Sequence, residues 1–181
     1  MRSELVIRAE MFAAGAHAAV GQTRKYTNEP YVEHCKRVAA IIEEVGGTDV
    51  MQAAALLHDT VEDTGVTLDQ IESLFGRDVC LLVYWLTSVS KPEDGNRAAR
   101  KEIDRQHSAN APFEAQTIKL ADIIDNTSNI LEHDRSFAKL YLKEKKALAE
   151  SLMEADPHLR ARCLAQIESS IKELRMPTLE R

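Results

Sequence analysis

Apolar residues recur at helical spacing along almost all of the 181-residue chain, and this pattern restricts the fold more than any other feature. The first stretch, residues 3–20, is rich in alanine and places apolar side chains three or four positions apart. Residues 78–89 have a β-rich composition, but we predict a buried helix there because an isolated strand would have no partner. The sequence therefore predicts an all-α fold.

Turn-forming and capping residues divide this pattern into helices. Pro30 should begin the second helix, Gly46-Gly47 should end it, and Asp49 should cap a third helix that runs to His58. Residues 91–96, which include a proline and a glycine, are the clearest loop. The remaining helices are predicted after a capping box at 67–70, in a basic segment at 97–105, and over 113–131, 135–154 and 158–174.

Composition narrows the classes of function. The hydrophobic fraction of 44% and charged fraction of 29% are typical of a soluble globular domain, and the sequence predicts no membrane span. A net charge of -6 without a long basic run argues against nucleic acid as a partner, whereas a small anionic substrate fits a local positive pocket. Three widely spaced cysteines favour a reducing cytoplasm. With no repeat or linker, we predict a single domain over residues 1–181 and leave a homo-oligomer open.

A histidine–aspartate pair is the strongest chemical signal. His58-Asp59 ends the apolar run 53–57, so a hydrophobic helix would carry an imidazole and a carboxylate to the rim of the core. His34 lies on the apolar face of the preceding helix, and Asp122 follows the largely apolar run 118–121. Mixed imidazoles and carboxylates suit manganese, iron or zinc better than calcium. This ordered set of four residues is the HD signature, and it predicts a metal site.

Two acids follow the pair. On a continuous helix, Glu62 lies four residues beyond His58 and Asp63 four beyond Asp59, so both carboxylates would share the face of the metal. Acids at such positions often form only a solvated helix end. Behind an HD pair, we predict that they orient or deprotonate a water activated by the ion.

The run His58–Thr64 resembles the hydrolase domain of RelA/SpoT homologues, and especially the stand-alone small alarmone hydrolases. The resemblance covers about residues 5–155, with matching segments at 24–34, 67–79 and 119–126. It implies an all-helical HD-domain bundle and cytoplasmic hydrolysis of the 3′-pyrophosphate of ppGpp or pppGpp. It also implies that one manganese ion is held by His34, His58, Asp59 and Asp122, while Glu62 and Asp63 position the attacking water.

Several polar residues are candidates for substrate binding. Arg24 and Lys25 precede the first ligand helix, where an arginine can stack on a purine or bind phosphate and a lysine supplies a positive charge. Asn126 lies four residues after Asp122, on the same helical face, and its amide can bind ribose or phosphate. Arg100 and Lys101, in the basic helix, either contact 5′-phosphates or belong to an exposed basic face.

Departures from the family pattern leave the purine open. They include Ile123, Asp125 and the run 127–129, which lie where base and phosphates should bind. An adenosine alarmone, ppApp or pppApp, therefore competes with ppGpp as the substrate. Two further alternatives are another HD phosphohydrolase, such as a nucleotidase or an NADPH phosphatase, and a non-catalytic nucleotide-sensing module.

Four other histidines have no partner at a useful spacing. We predict that they are surface or capping residues: His17, His107, His133 and His158.

Overall fold

The computed structural model describes residues 2–176, which are mainly α-helical, with one short 3-10 helix, Pro92–Asp94, inside the predicted loop. The all-α prediction is confirmed. None of the helices in this range is both long and apolar enough to cross a membrane. In chain order the helices are α1 (Glu4–Ala19), α2 (Val32–Glu44), α3 (Asp49–Leu57), α4 (Thr60–Asp63), α5 (Leu68–Phe75), α6 (Arg77–Leu86), α7 (Arg97–Ala109), α8 (Phe113–Thr127), α9 (Ile130–His133), α10 (Arg135–Ser151) and α11 (Pro157–Arg175).

Helix α3 lies at the centre of the molecule and contacts α1, α2, α6 and α8. Met51 and residues 53–57 are all buried, so this helix is apolar around most of its circumference. Such a helix has no face to present to water and must pack in the core. Helix α8 is also largely buried and packs between α2 and α11. Polar residues on α2, α8 and the end of α3 therefore meet inside the protein.

Two predicted helix boundaries are wrong because neighbouring side chains compete for backbone groups. Thr48, and not Asp49, caps α3, since its Oγ1 accepts a hydrogen bond from the backbone N–H of Met51 at 3.3 Å. The predicted helix 113–131 is divided after Thr127, whose hydroxyl donates to the Ile123 carbonyl at 2.8 Å. The other predicted helix ends lie within four residues of the observed ones, and the largest difference is at the end of α7, which continues to Ala109.

The chain also breaks between α3 and α4, at His58 and Asp59. The hydroxyl of Thr60, the first residue of α4, donates to the carbonyl of Leu57, the last residue of α3, at 2.7 Å. The continuous helix assumed from His58 to Asp63 is therefore wrong, although the Asp63 N–H still donates to the Asp59 carbonyl at 2.9 Å, as it would one helical turn later.

Replacing Leu56 with alanine should lower the free energy of unfolding by about 2–5 kcal/mol, because a fully buried side chain of α3 leaves a cavity in the core. Leu81→Ala is the matched control, since the Leu81 side chain on α6 is 51% exposed and its loss should cost less than about 0.5 kcal/mol. Urea denaturation followed by circular dichroism measures both. Equal losses would contradict the central position of α3.

Candidate metal centre

Four side chains from three helical segments converge at one end of the core. His34 belongs to α2, Asp122 belongs to α8, and His58-Asp59 follow the last residue of α3. His34 Nε2 lies 3.4 Å from Asp122 Oδ1 and 3.7 Å from Asp59 Oδ2. His58 Nε2 lies 3.0 Å from Asp59 Oδ2 and 3.8 Å from Asp122 Oδ1. The structure thus brings together all four residues that the sequence predicts as metal ligands.

The Nε2 atoms of His34 and His58, which we call the inner nitrogens, are suited to bind a metal ion. His34 Nδ1 lies 2.6 Å from Asp125 Oδ2, and His58 Nδ1 lies 2.8 Å from the Ala55 carbonyl, so each Nδ1 donates a proton to an accepting oxygen. Each Nε2 is buried and makes no hydrogen bond to any residue that the structure describes. A buried polar atom without a partner costs about 1–3 kcal/mol. A divalent cation would satisfy both nitrogens and the adjacent carboxylates.

Two side-chain donors hold the carboxylates in place. The Tyr31 hydroxyl donates to Asp59 Oδ2 at 2.7 Å, and the Asn126 amide donates to Asp122 Oδ1. Burial raises the pKa of Tyr31, and the neighbouring Asp59 raises it further, so the hydroxyl keeps its proton. The ligand carboxylates are therefore restricted in orientation before an ion binds.

Charges around the site favour a cation. Burial opposes the ionisation of Asp122, but the positive charges of Lys145 and Lys119 hold the pKa of Asp122 well below its usual range. Burial lowers the pKa of His34, yet the nearby carboxylates of Asp122 and Asp125 outweigh it and raise that pKa to about 9. The ionised carboxylates thus create a negative potential at the two inner nitrogens.

Asp125 has a role that the sequence did not reveal. It accepts hydrogen bonds from His34 Nδ1 and from Arg37 Nε, each at 2.6 Å. It therefore fixes the orientation of the His34 ring through the nitrogen that does not face the centre. The partners His34 and Asp125 lie 91 residues apart in sequence. A local signal did exist, because Asp125 follows Asp122 by three residues and so lies on the same side of α8.

Glu62 and Asp63 are exposed on α4 and are held by different parts of the chain. Glu62 Oε2 accepts a hydrogen bond from the backbone N–H of Ser88, after α6, at 3.0 Å. Asp63 Oδ2 accepts one from Gln22 Nε2, after α1, at 2.8 Å. The helix is interrupted at 58–59, and the expected position of both carboxylates on the face of the metal stays a prediction. Their catalytic roles stay predictions.

His17 is buried, and its predicted surface or capping role is wrong. Its Nδ1 lies 2.6 Å from Oε1 of Gln22, the residue that also donates to Asp63. Its ring packs against Tyr31 with the ring centroids 4.8 Å apart. Both His17 and Gln22 thus contact neighbours of the metal centre, and sequence reasoning missed both.

A cavity of about 630 Å³ adjoins the centre and is lined by three predicted substrate-binding residues, Arg24, Lys25 and Asn126. Arg24 Nη1 donates to Asn126 Oδ1 at 2.9 Å, so Asn126 connects Arg24 with the ligand Asp122. Aromatic side chains line other parts of the wall: Tyr26, Tyr31, Phe137 and Tyr141. Cationic and aromatic groups together can bind an anion that carries a planar ring.

A second cleft of about 420 Å³ lies between the end of α6, α7 and α10. Four lysines line it: Lys101, Lys119, Lys143 and Lys145. Six basic and three acidic side chains line the cleft, so its lining carries a net positive charge. Partial loss of solvation lowers the pKa of Lys101, and the charge of Lys145 lowers it further. Arg100, the other predicted phosphate contact, is not among the residues that line the cleft.

Comparison with known proteins supports the geometric interpretation. The HD domain family model matches residues 9–148. The guanosine-3′,5′-bis(diphosphate) 3′-pyrophosphohydrolase MESH1 of Xenopus tropicalis is 38% identical over 130 residues, which are 70% of this chain and 69% of the relative. A probable enzyme of the same name from Synechocystis is 44% identical over 87 residues, or 48% of this chain. Several curated relatives are much longer, and the chain spans only 11 to 20% of their lengths.

A solved structure has the same fold. It is a metazoan orthologue of SpoT, described as hydrolysing ppGpp, and its TM-score is 0.83 at 28% sequence identity. The match covers 94% of this chain and 97% of the other. The family model, the Xenopus relative and this structure each match most of the chain. The chain therefore belongs to the HD domain family, in the group that includes the MESH1 proteins.

Proposed function

We propose that this chain is a metal-dependent 3′-pyrophosphohydrolase of ppGpp or pppGpp. The observation that carries the proposal is the pair of buried, unpartnered Nε2 atoms of His34 and His58 beside the carboxylates of Asp59 and Asp122. The activity printed in the name of the Xenopus relative, which is 38% identical, supplies the substrate class. The name of that relative and the description of the metazoan structure support the guanosine nucleotide over other HD substrates.

The proposed cofactor is one manganese ion held by His34, His58, Asp59 and Asp122. Two imidazole nitrogens and two carboxylates form a mixed donor set that suits manganese, although iron and zinc accept similar ligands. When bound, such an ion supplies Lewis acidity, which strengthens water as a nucleophile near neutral pH.

The proposal assigns the direction of hydrolysis to the two acids of α4. In the proposed reaction, a water oxygen bonds to the phosphorus attached to the ribose 3′ oxygen, the P–O3′ bond breaks, and pyrophosphate is released. Glu62 and Asp63 would orient this water and accept its proton, while the 3′ oxygen takes up a proton as it leaves. The hydrogen bonds from Ser88 and Gln22 each engage one oxygen of these carboxylates.

The two cavities suit the two ends of a bis(diphosphate) nucleotide. In this proposal the purine stacks in the cavity of Arg24, Lys25 and Asn126, whose aromatic wall provides a planar surface. The lysine-lined cleft, which includes Lys101, would receive the 5′-phosphates as counter-charges. A role for Arg100 there stays a prediction from the sequence.

The adenosine alternative remains part of the proposal because three of the five residues that depart from the family pattern, Asp125, Ser128 and Asn129, line the purine cavity. Ile123 and Thr127 are buried. Ser128 and Asn129 do line the cavity, and they are the departing residues with polar groups available to a base. Hydrogen bonds to the purine edge therefore decide between guanine and adenine.

Metal-stripped protein should release pyrophosphate from ppGpp only after manganese is added, because both inner imidazole nitrogens need the ion. We expect a slower reaction with ppApp, measured in parallel by chromatography of nucleotides and pyrophosphate. His58→Asn should abolish release with either substrate. Orthophosphate as the product would indicate another HD phosphohydrolase, and no product despite bound metal would indicate a nucleotide-sensing module.

Glu62→Gln and Asp63→Asn should each lower kcat by about 100-fold or more, because proton transfer by a positioned acid contributes about 10²–10⁴-fold. Metal content should stay at one ion per chain, since neither residue is a proposed ligand. Steady-state kinetics and elemental analysis of the purified variants test both statements. Glu93→Gln, at an exposed acid of the 3-10 helix, is the control and should leave kcat unchanged.

Manganese affinity should rise with pH up to about pH 9. The raised pKa of about 9 means that His34 is protonated below that pH in the metal-free protein, so binding must displace a proton. One displaced proton gives up to about tenfold tighter binding per pH unit. Calorimetric titration in buffers of different ionisation enthalpy measures both affinity and proton release.

Asp125→Asn provides the control for this pH dependence. It removes one of the carboxylates that raise the pKa of His34, so affinity should level off at a lower pH than in the wild type. An affinity that does not change between pH 7 and pH 9 in the wild type would contradict the assignment of the displaced proton to His34.

A further inference from the structure

The turn after α1 folds Gln22 back against His17. Gly21 has a φ of 66°, in the left-handed region that favours glycine, and its N–H donates to the Ala18 carbonyl at 3.0 Å. The Gln22 N–H donates to the His17 carbonyl, also at 3.0 Å. This pair of backbone bonds is a Schellman motif, in which the second residue after the helix contacts the last turn. The side chains of His17 and Gln22 are therefore neighbours by backbone geometry.

The direction of the side-chain hydrogen bonds follows from chemistry. An ionised carboxylate only accepts, so the Gln22 amide must present its NH₂ group to Asp63 Oδ2, 2.8 Å away. This orientation turns Gln22 Oε1 toward His17 Nδ1, 2.6 Å away. An amide oxygen also only accepts, so His17 Nδ1 must be the donor. A single chain of hydrogen bonds thus runs from His17 through Gln22 to Asp63.

His17, the first residue of this series of hydrogen bonds, is held in the core. His17 is 1% exposed, packs against Tyr31, and directs Nε2 toward Cys35 Sγ at 3.9 Å. Tyr31 in turn donates to the proposed metal ligand Asp59. A rigid buried ring therefore supports an exposed carboxylate beside the metal centre.

We propose that His17 and Gln22 are positioning residues that orient the Asp63 carboxylate toward the attacking water. This inference rests on the proposed hydrolysis. Without Gln22, the exposed Asp63 side chain loses its side-chain hydrogen-bond donor and regains rotational freedom. A catalytic acid or base that is held in one orientation is more effective because less freedom is lost in the transition state.

A purely structural role explains these contacts less well. The Schellman turn is already closed by its two backbone hydrogen bonds, and the Gln22 carbonyl further accepts from the Tyr31 N–H at 3.3 Å. These bonds do not need the Gln22 amide. The amide instead reaches across to α4, which is 41 residues further along the chain.

Gln22→Met tests the inference because methionine keeps the length of the side chain and removes both hydrogen bonds. We expect kcat for pyrophosphate release to fall about 10–100-fold, as for other residues that support an active-site group. KM should change less than about twofold, because Gln22 acts on the reaction step and not on nucleotide binding. In an Asp63→Asn background, Gln22→Met should cause no further loss, since its target is already absent.

Two further variants separate positioning from folding. Gln52→Met, at a part-buried glutamine that donates to the Gly47 carbonyl, is the matched control and should leave kcat unchanged. His17→Asn can still donate from a similar position and should retain most of the activity, whereas His17→Leu should match Gln22→Met. Thermal denaturation of every variant confirms that it is folded under the assay conditions.

The outcomes distinguish this inference from the proposed function. An active wild type whose Gln22→Met and Asp63→Asn losses multiply would overturn the positioning role alone. A rise in KM at constant kcat for Gln22→Met would also overturn it. A metal-loaded wild type that releases no pyrophosphate would overturn the proposed function and, with it, the inference.

Discussion

Two buried imidazole nitrogens, Nε2 of His34 and of His58, have no hydrogen-bond partner within residues 2–176, and the site depends on this constraint. Helix α3 is apolar on nearly every side and must pack centrally. This packing places His58, just after α3, at the end of the core where it faces His34. The desolvated Nε2 atoms would destabilise the fold if nothing satisfied them. The surrounding carboxylates raise the pKa of His34 to about 9. Without a metal ion, the protonated His34 ring therefore supplies part of the positive charge that the proposed cation would supply.

The break between α3 and α4 separates the proposed ligands His58 and Asp59 from the helix that carries Glu62 and Asp63. On one continuous helix, Glu62 and Asp63 would follow the ligands along the same stripe. The helix is instead interrupted at 58–59, and the two acids accept hydrogen bonds from different parts of the chain, Glu62 from Ser88 and Asp63 from Gln22. Because Ser88 and Gln22 each hold one of these carboxylates, the two acids can keep different orientations toward the proposed attacking water.

The sequence predicted the helices and the four side chains that converge, because both depend on local signals. Apolar periodicity located the helices, and His58-Asp59 marked the end of an unusually apolar one. The roles of Asp125 and His17 depend on tertiary contacts, which helical spacing does not encode: Asp125 binds a ring 91 residues away. His17 meets Gln22 because the chain turns back at Gly21. A turn of this kind predicts that residues are close but not which side chains will form a hydrogen bond.

The proposed metal ligands and the wall of the purine cavity come from different kinds of structure, so local sequence signals identify the first better than the second. The ligands come from buried helices, whose positions are set by packing, whereas the cavity wall comes largely from the loops beside α1 and α8. The break after Thr127, which periodicity failed to predict, exposes Ser128 and places it with Asn129 on that wall. The Thr127 hydroxyl bonds back to the Ile123 carbonyl at the end of α8, and the two residues that follow supply the polar groups of the wall. Substrate selectivity can therefore change in this loop while the buried ligands stay in place.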